Sequence, residues 1–158
     1  MARAIIPAHT ITRHLLEIVN DPAHGRRTTS ATFRASKKRL RADGHWQCWI
    51  CGTTRHLEVH HYGLEWMFGA VADWDALKAF CEEWDVYGYG RVLHAQPMTS
   101  VDDIRNLMVL CREHHRGGPA DGAANGTHAI TFSAWVSQKL VRADAVTVPQ
   151  DADPTDGV

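Results

Sequence analysis

Two pairs of metal-binding residues, far apart in the chain, constrain the fold more than any other feature of the sequence. Cys48 and Cys51 form a C-x-x-C pair in "CWICG", and Cys111 and His114 form a C-x-x-H pair in "CREHH", with 59 residues between the pairs. A short turn lets two thiolates converge on one ion, and three cysteines with one histidine are a common ligand set for structural zinc. The spacing therefore predicts a zinc ion that joins distant parts of the chain.

Redox chemistry and simple burial are the alternative roles for the cysteines. The region around Cys48 lacks the strand-then-helix context of a thioredoxin-like redox pair. Cys81, in "DWDALKAFCEEW", has no partner nearby in sequence, so we expect a small buried hydrophobe there. The N-terminal sequence does not have the pattern of a signal peptide. We therefore expect a cytoplasmic location, where thiols stay reduced.

Length, composition and charge limit the architecture and the partners. The 158 residues suit one ordinary domain, and contents of 44% hydrophobic and 22% charged residues are typical of soluble globular proteins. No apolar run is long enough to cross a membrane. Residues 1–64 carry ten Lys/Arg and four Asp/Glu, whereas residues 65–158 carry seven and fourteen. The net charge of −1 therefore does not argue against a polyanionic partner, because binding depends on the local field.

Changes of pattern predict three parts of the chain. Residues 1–44 form a helical, basic extension, in which "TITRHLLEIVN" has the spacing of a short amphipathic helix. Residues 45–142 contain the Cys/His motifs, a strand at "LEVHHY", and an acidic insertion of helix and loop at residues 64–103. Residues 143–158 are predicted to be a disordered tail. For "SVDDIRNLMVLCREHHRGG" we expect a turn and then a helix that ends near Arg116.

Adjacent histidines occur twice, as His60 with His61 and as His114 with His115. Neighbouring residues of a helix point about 100° apart, so His114 and His115 suit two different ions. If His114 completes the zinc site, His115 points towards a second site, and the upstream pair is the natural group to meet it. In a regular strand His60 and His61 face opposite ways. They can act together only if the strand ends or bulges there, as Gly63 permits.

Taken in order, "CWIC", "LEVHH", "RNLMVLC" and "CREHH" resemble the HNH endonucleases, a family with a ββα-metal core. The resemblance covers about residues 45–118 without the insertion. It implies an α+β fold with a small ββα-metal core above a structural zinc. It also implies an endonuclease that hydrolyses DNA phosphodiester bonds with a divalent ion such as Mg²⁺, Mn²⁺ or Ni²⁺.

The resemblance also implies roles for individual residues. His60 and His115 are implied to bind the catalytic ion, and His61 is implied to be the general base, since a neutral imidazole can take a proton from the attacking water. Asn106 corresponds to the N of the family name, and it either fixes the loop that orients His61 or contacts the metal. Its position also fits a helix N-cap. His128, in "GTHAITF", is either a further ion ligand or a surface histidine.

A basic stretch precedes these motifs and is the candidate DNA-binding segment. Residues 26–41 hold seven basic side chains and no acidic one. Such a run is either a solvated helix face or a phosphate-contacting surface, and a nuclease-like site downstream favours the second. Backbone contacts of this kind give affinity with little sequence selectivity. The residues expected to contact DNA are Arg34, Lys37, Lys38, Arg39 and Arg41.

Two features depart from the family pattern, and both concern the connection between the motifs. Forty-four residues separate His61 from Asn106, more than in the usual HNH core, so the insertion at residues 64–103 is expected to serve specificity, dimerisation or a partner. The second zinc pair is C-x-x-H where many relatives have C-x-x-C, a change that zinc tolerates.

A binding protein without nuclease activity is the second hypothesis. It would use the zinc-stapled HNH scaffold to block or recruit a protein, as a phage or mobile-element factor does. The insertion motivates it, because Trp66, Trp74 and Trp84 are of the type that often marks interfaces. The alternative for these tryptophans is a small core of the insertion itself. A homodimer is a further expectation for the enzyme, since two copies are a simple way to cut both strands.

Overall fold

The structure is a computed structural model, and it describes residues 26, 28–117, 126–127 and 139–144. It has an α+β architecture built from one two-stranded sheet and short helices. The amphipathic helix predicted in "TITRHLLEIVN", His128 and residues 145–158 of the predicted tail lie outside the described residues. The elements in chain order are α1 (Ala31–Ala42), β1 (Leu57–His61), a 3₁₀ turn (Trp66–Phe68), α2 (Trp74–Glu83), α3 (Tyr89–Val92), a 3₁₀ turn (Ile104–Asn106), β2 (Leu107–Cys111) and α4 (Arg112–Arg116).

The antiparallel pair of β1 and β2 is the centre of the molecule. Leu57 lies opposite Cys111 at one end of the sheet, and His61 lies opposite Leu107 at the other. All five residues of β2 are buried, as in a strand packed on both faces. Leu107 and Val109 of β2 lie in one apolar cluster and Met108 and Leu110 in another, because successive residues of a strand point to opposite faces.

The helix that we predicted across "LMVLCREHH" is wrong for its first half. Leu107–Cys111 is strand β2, and the helix is limited to Arg112–Arg116. Five consecutive apolar residues suit either a buried strand or a buried helix, and pairing with β1 decides for the strand. Asn106 is consequently not a helix N-cap, because a strand follows it. The helix does end at Arg116, and the amide of Gly117 donates to the carbonyl of Glu113.

The insertion packs against the sheet rather than standing apart from it. Leu64, Leu77 and Cys81 belong to the same buried cluster as Leu110 and Cys111. The expectation that Cys81 is a buried small residue is confirmed, and burial raises the pKa of its thiol to about 12. Most of the insertion is helix and loop, as predicted.

Helix α1 covers the opposite face of the sheet. Ser30 caps its start, since the Ser30 hydroxyl accepts the amide of Phe33. Leu40 is fully buried with Val59 and Leu107 in the second apolar cluster. Among the described residues, no helix has the length and apolarity needed to cross a bilayer.

Candidate functional site

The four predicted zinc ligands come together at the Cys111 end of the sheet. Cys48, Cys51, Cys111 and His114 place their ligand atoms within 4.8 Å of one another, close enough to hold a metal ion such as zinc. The Cys51 and Cys111 sulfurs are 3.9 Å apart, and the Cys48 sulfur lies 3.6 Å from Nδ1 of His114. Tetrahedral zinc puts sulfur and nitrogen ligands about 3.5–3.8 Å apart, so the set has the right size.

A tight turn brings the first cysteine pair together. Gly52 has φ of +72°, a conformation that glycine adopts without strain, and its amide donates to the Cys48 carbonyl. Burial alone would raise the pKa of Cys48, but amides of Cys51, Cys111 and Ile50 that face its sulfur lower that pKa to about 6. Cys48 is therefore available as a thiolate at neutral pH, the form that binds zinc.

The second pair spans the junction between β2 and α4. Cys111 ends the strand and stands just before the helix, and His114 follows one turn later. The Cys111 sulfur lies 3.1 Å from Nδ1 of His114. The two ligands therefore converge although only one of them is helical, a difference from the prediction that placed both on one helix. Thr127 donates to the carbonyls of His114 and His115, which satisfies backbone groups near the end of α4.

Helix α4 sends its two histidines in different directions, as predicted. His114 faces the cysteines, whereas His115 lies beside His60, with 5.2 Å between the ring centroids. Nδ1 of His115 is 2.5 Å from a carboxylate oxygen of Glu58. Burial tends to raise the pKa of Glu58, but hydrogen bonds from His115 and Arg116 bring it below the usual range. The anionic carboxylate of Glu58 thus accepts a hydrogen bond from His115 and fixes the orientation of its ring.

The two histidines of β1 face opposite sides, and one carboxylate lies near both. His60 is 4% and His61 is 2% exposed. His61 stacks on the ring of Phe33 from α1, with 5.6 Å between centroids. The Glu65 oxygens lie 3.6 Å from Nδ1 of His60 and 3.8 Å from Nδ1 of His61. Glu65 therefore lies within ion-pair distance of two rings that the strand itself directs apart.

Asn106 fixes the loop that follows β1. Its side chain is fully buried, and its oxygen accepts the amides of Gly63 and Leu64. Its nitrogen donates to the carbonyls of Leu64 and Val101. Of the two roles predicted for Asn106, these contacts correspond to fixing the loop next to His61. A Cβ on Gly63 would lie 2.8 Å from the Asn106 oxygen, so this approach requires glycine.

Three carboxylates around the histidines were missed in the sequence. Asp102 accepts at 2.8 Å from Nε2 of His61, and Glu58 and Glu65 hold positions near His115 and the β1 pair. Glu58 could have been found, because it shares a strand face with His60 two residues away. Asp102 and Glu65 had no comparable signal, since the turns that direct them are not visible in local spacing.

The predicted DNA-binding residues divide between two sides of α1. Arg34, Lys38 and Arg41 are exposed on one stripe of the helix, and the partly buried Lys37 lies beside them over the Phe33 ring. Arg39 points to another side, where it pairs with Asp43 and lies over Tyr89. The structure thus groups four of the five cations on one face and separates Arg39 from them.

The three tryptophans of the insertion have different surroundings. Trp66 and Trp74 are partly buried and pack against the main apolar cluster. Trp84 is 50% exposed and stacks on Phe80. Two of the three thus contribute to the core that the insertion shares with the sheet, and Trp84 is half exposed.

Comparison with known proteins identifies no relative of this chain. No protein-family model, no curated protein and no solved structure matches the chain. The HNH resemblance therefore rests on the sequence motifs.

Proposed function

We propose that this protein is a metal-dependent HNH-type endonuclease that hydrolyses DNA phosphodiester bonds. One observation supports the proposal most directly: α4 places His114 with the cysteines and His115 beside His60. A structural ion alone does not require a second histidine cluster. The pairing of a metal-ligand set with a neighbouring pair of histidines is what a nuclease of this class needs.

The order of the elements supports a ββα-metal core. Two antiparallel strands, β1 and β2, are followed directly by α4, although the insertion lengthens the connection between the strands. His60, His61, Cys111, His114 and His115 lie on those three elements, Asn106 ends the turn before β2, and Cys48 and Cys51 lie in the turn before β1. The core is therefore compact although the insertion separates β1 from β2 in sequence.

His60 and His115 are the residues that would hold the catalytic ion. Their rings are adjacent, and Glu58 holds Nδ1 of His115, which leaves its Nε2 as the ligand atom. Glu65 adds an oxygen 3.6 Å from Nδ1 of His60, the kind of ligand that Mg²⁺ and Mn²⁺ prefer. A bound divalent ion would supply charge stabilisation at the phosphate and the leaving oxygen. His128 stays a candidate further ligand.

His61 is the proposed general base. Asn106 holds the backbone of the loop after His61, and Asp102 contacts Nε2 of the His61 ring. The ring is almost fully buried beneath Phe33. Cleavage therefore requires that Phe33 or Glu65 moves when DNA binds, so that Nδ1 of His61 reaches the attacking water.

The basic stripe of α1 is the proposed surface for the DNA backbone. Arg34, Lys37, Lys38 and Arg41 form this stripe, and Phe33 of the same helix covers His61. DNA phosphates on the stripe would therefore lie near the proposed base. Arg39 has a separate role as the partner of Asp43.

The direct test is cleavage of supercoiled plasmid by purified protein with Mg²⁺, Mn²⁺, Ni²⁺ or EDTA. We expect nicking or linearisation that requires the ion and falls by about 100-fold or more in His61→Ala, since general-base catalysis contributes about 10²–10⁴-fold. His94→Ala is the matched control, because His94 is exposed and pairs with Glu82 in the insertion. No cleavage with any ion, or equal cleavage by both variants, contradicts the proposal.

A zinc-stapled binding protein is the second candidate, and exposed apolar residues favour it. Trp84 of the insertion, and Trp49 and Ile50 of the turn between Cys48 and Cys51, are each about half exposed. Large exposed apolar groups often mark contact surfaces. A biological effect that survives His61→Ala but is lost in Trp84→Ala, with folding retained, would select this function over the nuclease.

A further inference from the structure

We propose that Asp102 is a positioning residue for His61, and that it links the orientation of this base to the DNA-facing helix α1. The inference rests on the proposed nuclease function. It adds a residue that lies outside the motifs of the resemblance, at the end of the insertion. Asp102 does not touch the substrate in this proposal; it acts through His61.

The contact with His61 is short and sheltered. One oxygen of Asp102 lies 2.8 Å from Nε2 of His61, a hydrogen-bond distance. The His61 side chain is 1% exposed and that of Asp102 is 15% exposed, so water competes little for this bond. A carboxylate in this position favours a proton on Nε2 and leaves Nδ1 to accept one. Asp102 thus selects both the tautomer and the ring orientation.

Helix α1 holds Asp102 through two serines. The hydroxyl of Ser30, the N-cap residue, donates to the second Asp102 oxygen at 2.6 Å. The hydroxyl of Ser36 donates to the Asp102 backbone carbonyl at 2.9 Å. Phe33, between these serines, stacks on His61. Any displacement of α1 by bound DNA would therefore reach His61 through the carboxylate as well as through the aromatic ring.

The neighbouring acid, Asp103, makes different contacts and provides a structural comparison. Its carboxylate accepts from the guanidinium and the amide of Arg105. Arg105 in turn donates to carbonyls of Leu93, Gln96 and Pro97, so this pair organises the end of the insertion. Adjacent carboxylates thus serve two purposes, and substitutions at each can separate positioning from folding.

The test measures plasmid cleavage by full-length, zinc-loaded protein at saturating Mg²⁺ or Mn²⁺. We expect Asp102→Ala to lower kcat by about 30-fold or more, with KM for DNA and zinc content within about twofold of the parent. Asp102→Asn keeps an acceptor for Nε2 and a group near Ser30, so it should recover part of that loss. Asp103→Asn should lower the melting temperature and leave kcat within about twofold.

A spectroscopic measurement on the same variants does not depend on cleavage. Nitrogen-15 histidine spectra at one fixed alkaline pH should show His61 with its proton on Nε2 in the parent. Asp102→Ala should change that His61 signal, while Asp103→Asn should leave it in place. Ser30→Ala, which removes the link from α1 to the Asp102 carboxylate and keeps the carboxylate itself, should lower kcat less than Asp102→Ala does.

The outcomes separate this inference from the proposed function. If the parent protein cleaves DNA and Asp102→Ala cleaves equally well, the positioning role is wrong and the nuclease stands. An unchanged His61 signal in Asp102→Ala also overturns the role. If the parent does not cleave DNA in the presence of any of these ions, the nuclease proposal fails, and the positioning role fails with it.

Discussion

At the Cys111 end of the sheet, four ligand side chains converge from two short motifs. At the His61 end, about 13 Å away along the strand, Asp102 contacts the buried His61 ring, Glu65 lies near it, and Asn106 holds the loop that follows it. The first arrangement needs one partner, an ion. The second needs many hydrogen bonds between segments that are far apart in the chain: α1, the loop after β1, and the turn from Asp102 to Asn106.

The comparison separates two ways of holding a site. An ion draws its ligands together with a large free energy, so the Cys111 end should fail all at once when a ligand is lost. The His61 end depends on side-chain hydrogen bonds of modest individual strength, so it should fail in steps. Substitutions at the two ends therefore test this difference directly. Their effects on the fold should decrease from loss of a zinc ligand, through Asn106 and Gly63, to the basic stripe of α1.

The largest effect is expected from loss of a zinc ligand. Cys111→Ser should remove bound zinc and unfold the region between the two motifs, since structural zinc contributes on the order of 10 kcal/mol in small zinc domains. Elemental analysis should find about one zinc per chain in the parent and almost none in the variant. Chelation of the parent should lower its melting temperature in the same way.

Cys81→Ala is the control for this substitution. Cys81 is buried in the same apolar cluster but lies outside the ligand set. We expect it to keep its zinc and to lose only the packing of one sulfur. A parent protein that holds no zinc, or a Cys111→Ser variant that melts like the parent, would contradict the comparison.

The next effect is expected from Asn106→Ala. The substitution leaves the amides of Gly63 and Leu64 and two carbonyls without the side chain that binds them. Each buried group without a partner costs about 1–3 kcal/mol, so we expect a loss of about 3 kcal/mol or more in the free energy of unfolding. Denaturant unfolding measures this loss. Zinc content should stay near that of the parent, and a simultaneous loss of zinc would show that the two ends are not independent.

A smaller effect is expected from Gly63→Ala. The added methyl would lie 2.8 Å from the Asn106 oxygen and 3.1 Å from the Phe80 ring, so the loop must shift. Overpacking of this kind costs about 1–3 kcal/mol. Gly69→Ala is the matched control, because its closest new contact would be 3.3 Å from the Trp66 carbonyl. Equal melting temperatures for the two variants would show that the close approach of Asn106 does not require glycine at position 63.

The smallest effect on the fold, and a large one on binding, is expected from the stripe of α1. Replacing Arg34, Lys38 and Arg41 with Ala should weaken DNA binding and lower the slope of log affinity against log salt by about 2–3, as each lost phosphate contact removes about 0.9. The double variant Arg55→Ala, Arg112→Ala is the control at the Cys111 end of the sheet, where both residues line a groove beside Cys51. If the salt slope changes more in this control than in the α1 variant, DNA binds at the Cys111 end instead.

The strand β2 shows where local pattern was insufficient. "LMVLC" is apolar throughout, so neither a helical nor a strand period is visible in it, and we predicted a helix. Pairing with β1 supplies the missing information, because Val59 and Val109 lie opposite each other in a register that no short window contains. The same limitation applies to the tryptophans, whose burial depends on what the insertion packs against.

The sequence by itself determined the ligand set of the proposed zinc site. Two short motifs contain all four residues, and coordination chemistry restricts which residue types and spacings can converge on one ion. It also determined that His114 and His115 diverge, because the helix turns about 100° per residue.

Only the tertiary structure decided what surrounds His60 and His61. Glu65 and Asp102 approach the rings after chain reversals, and Asp102 is 41 residues from His61 in sequence. Its place depends on Ser30 and Ser36 of α1, whose contacts with Asp102 form only when the insertion and the helix pack on the sheet. Hydrogen bonds between distant residues follow from that packing, and no local spacing encodes them.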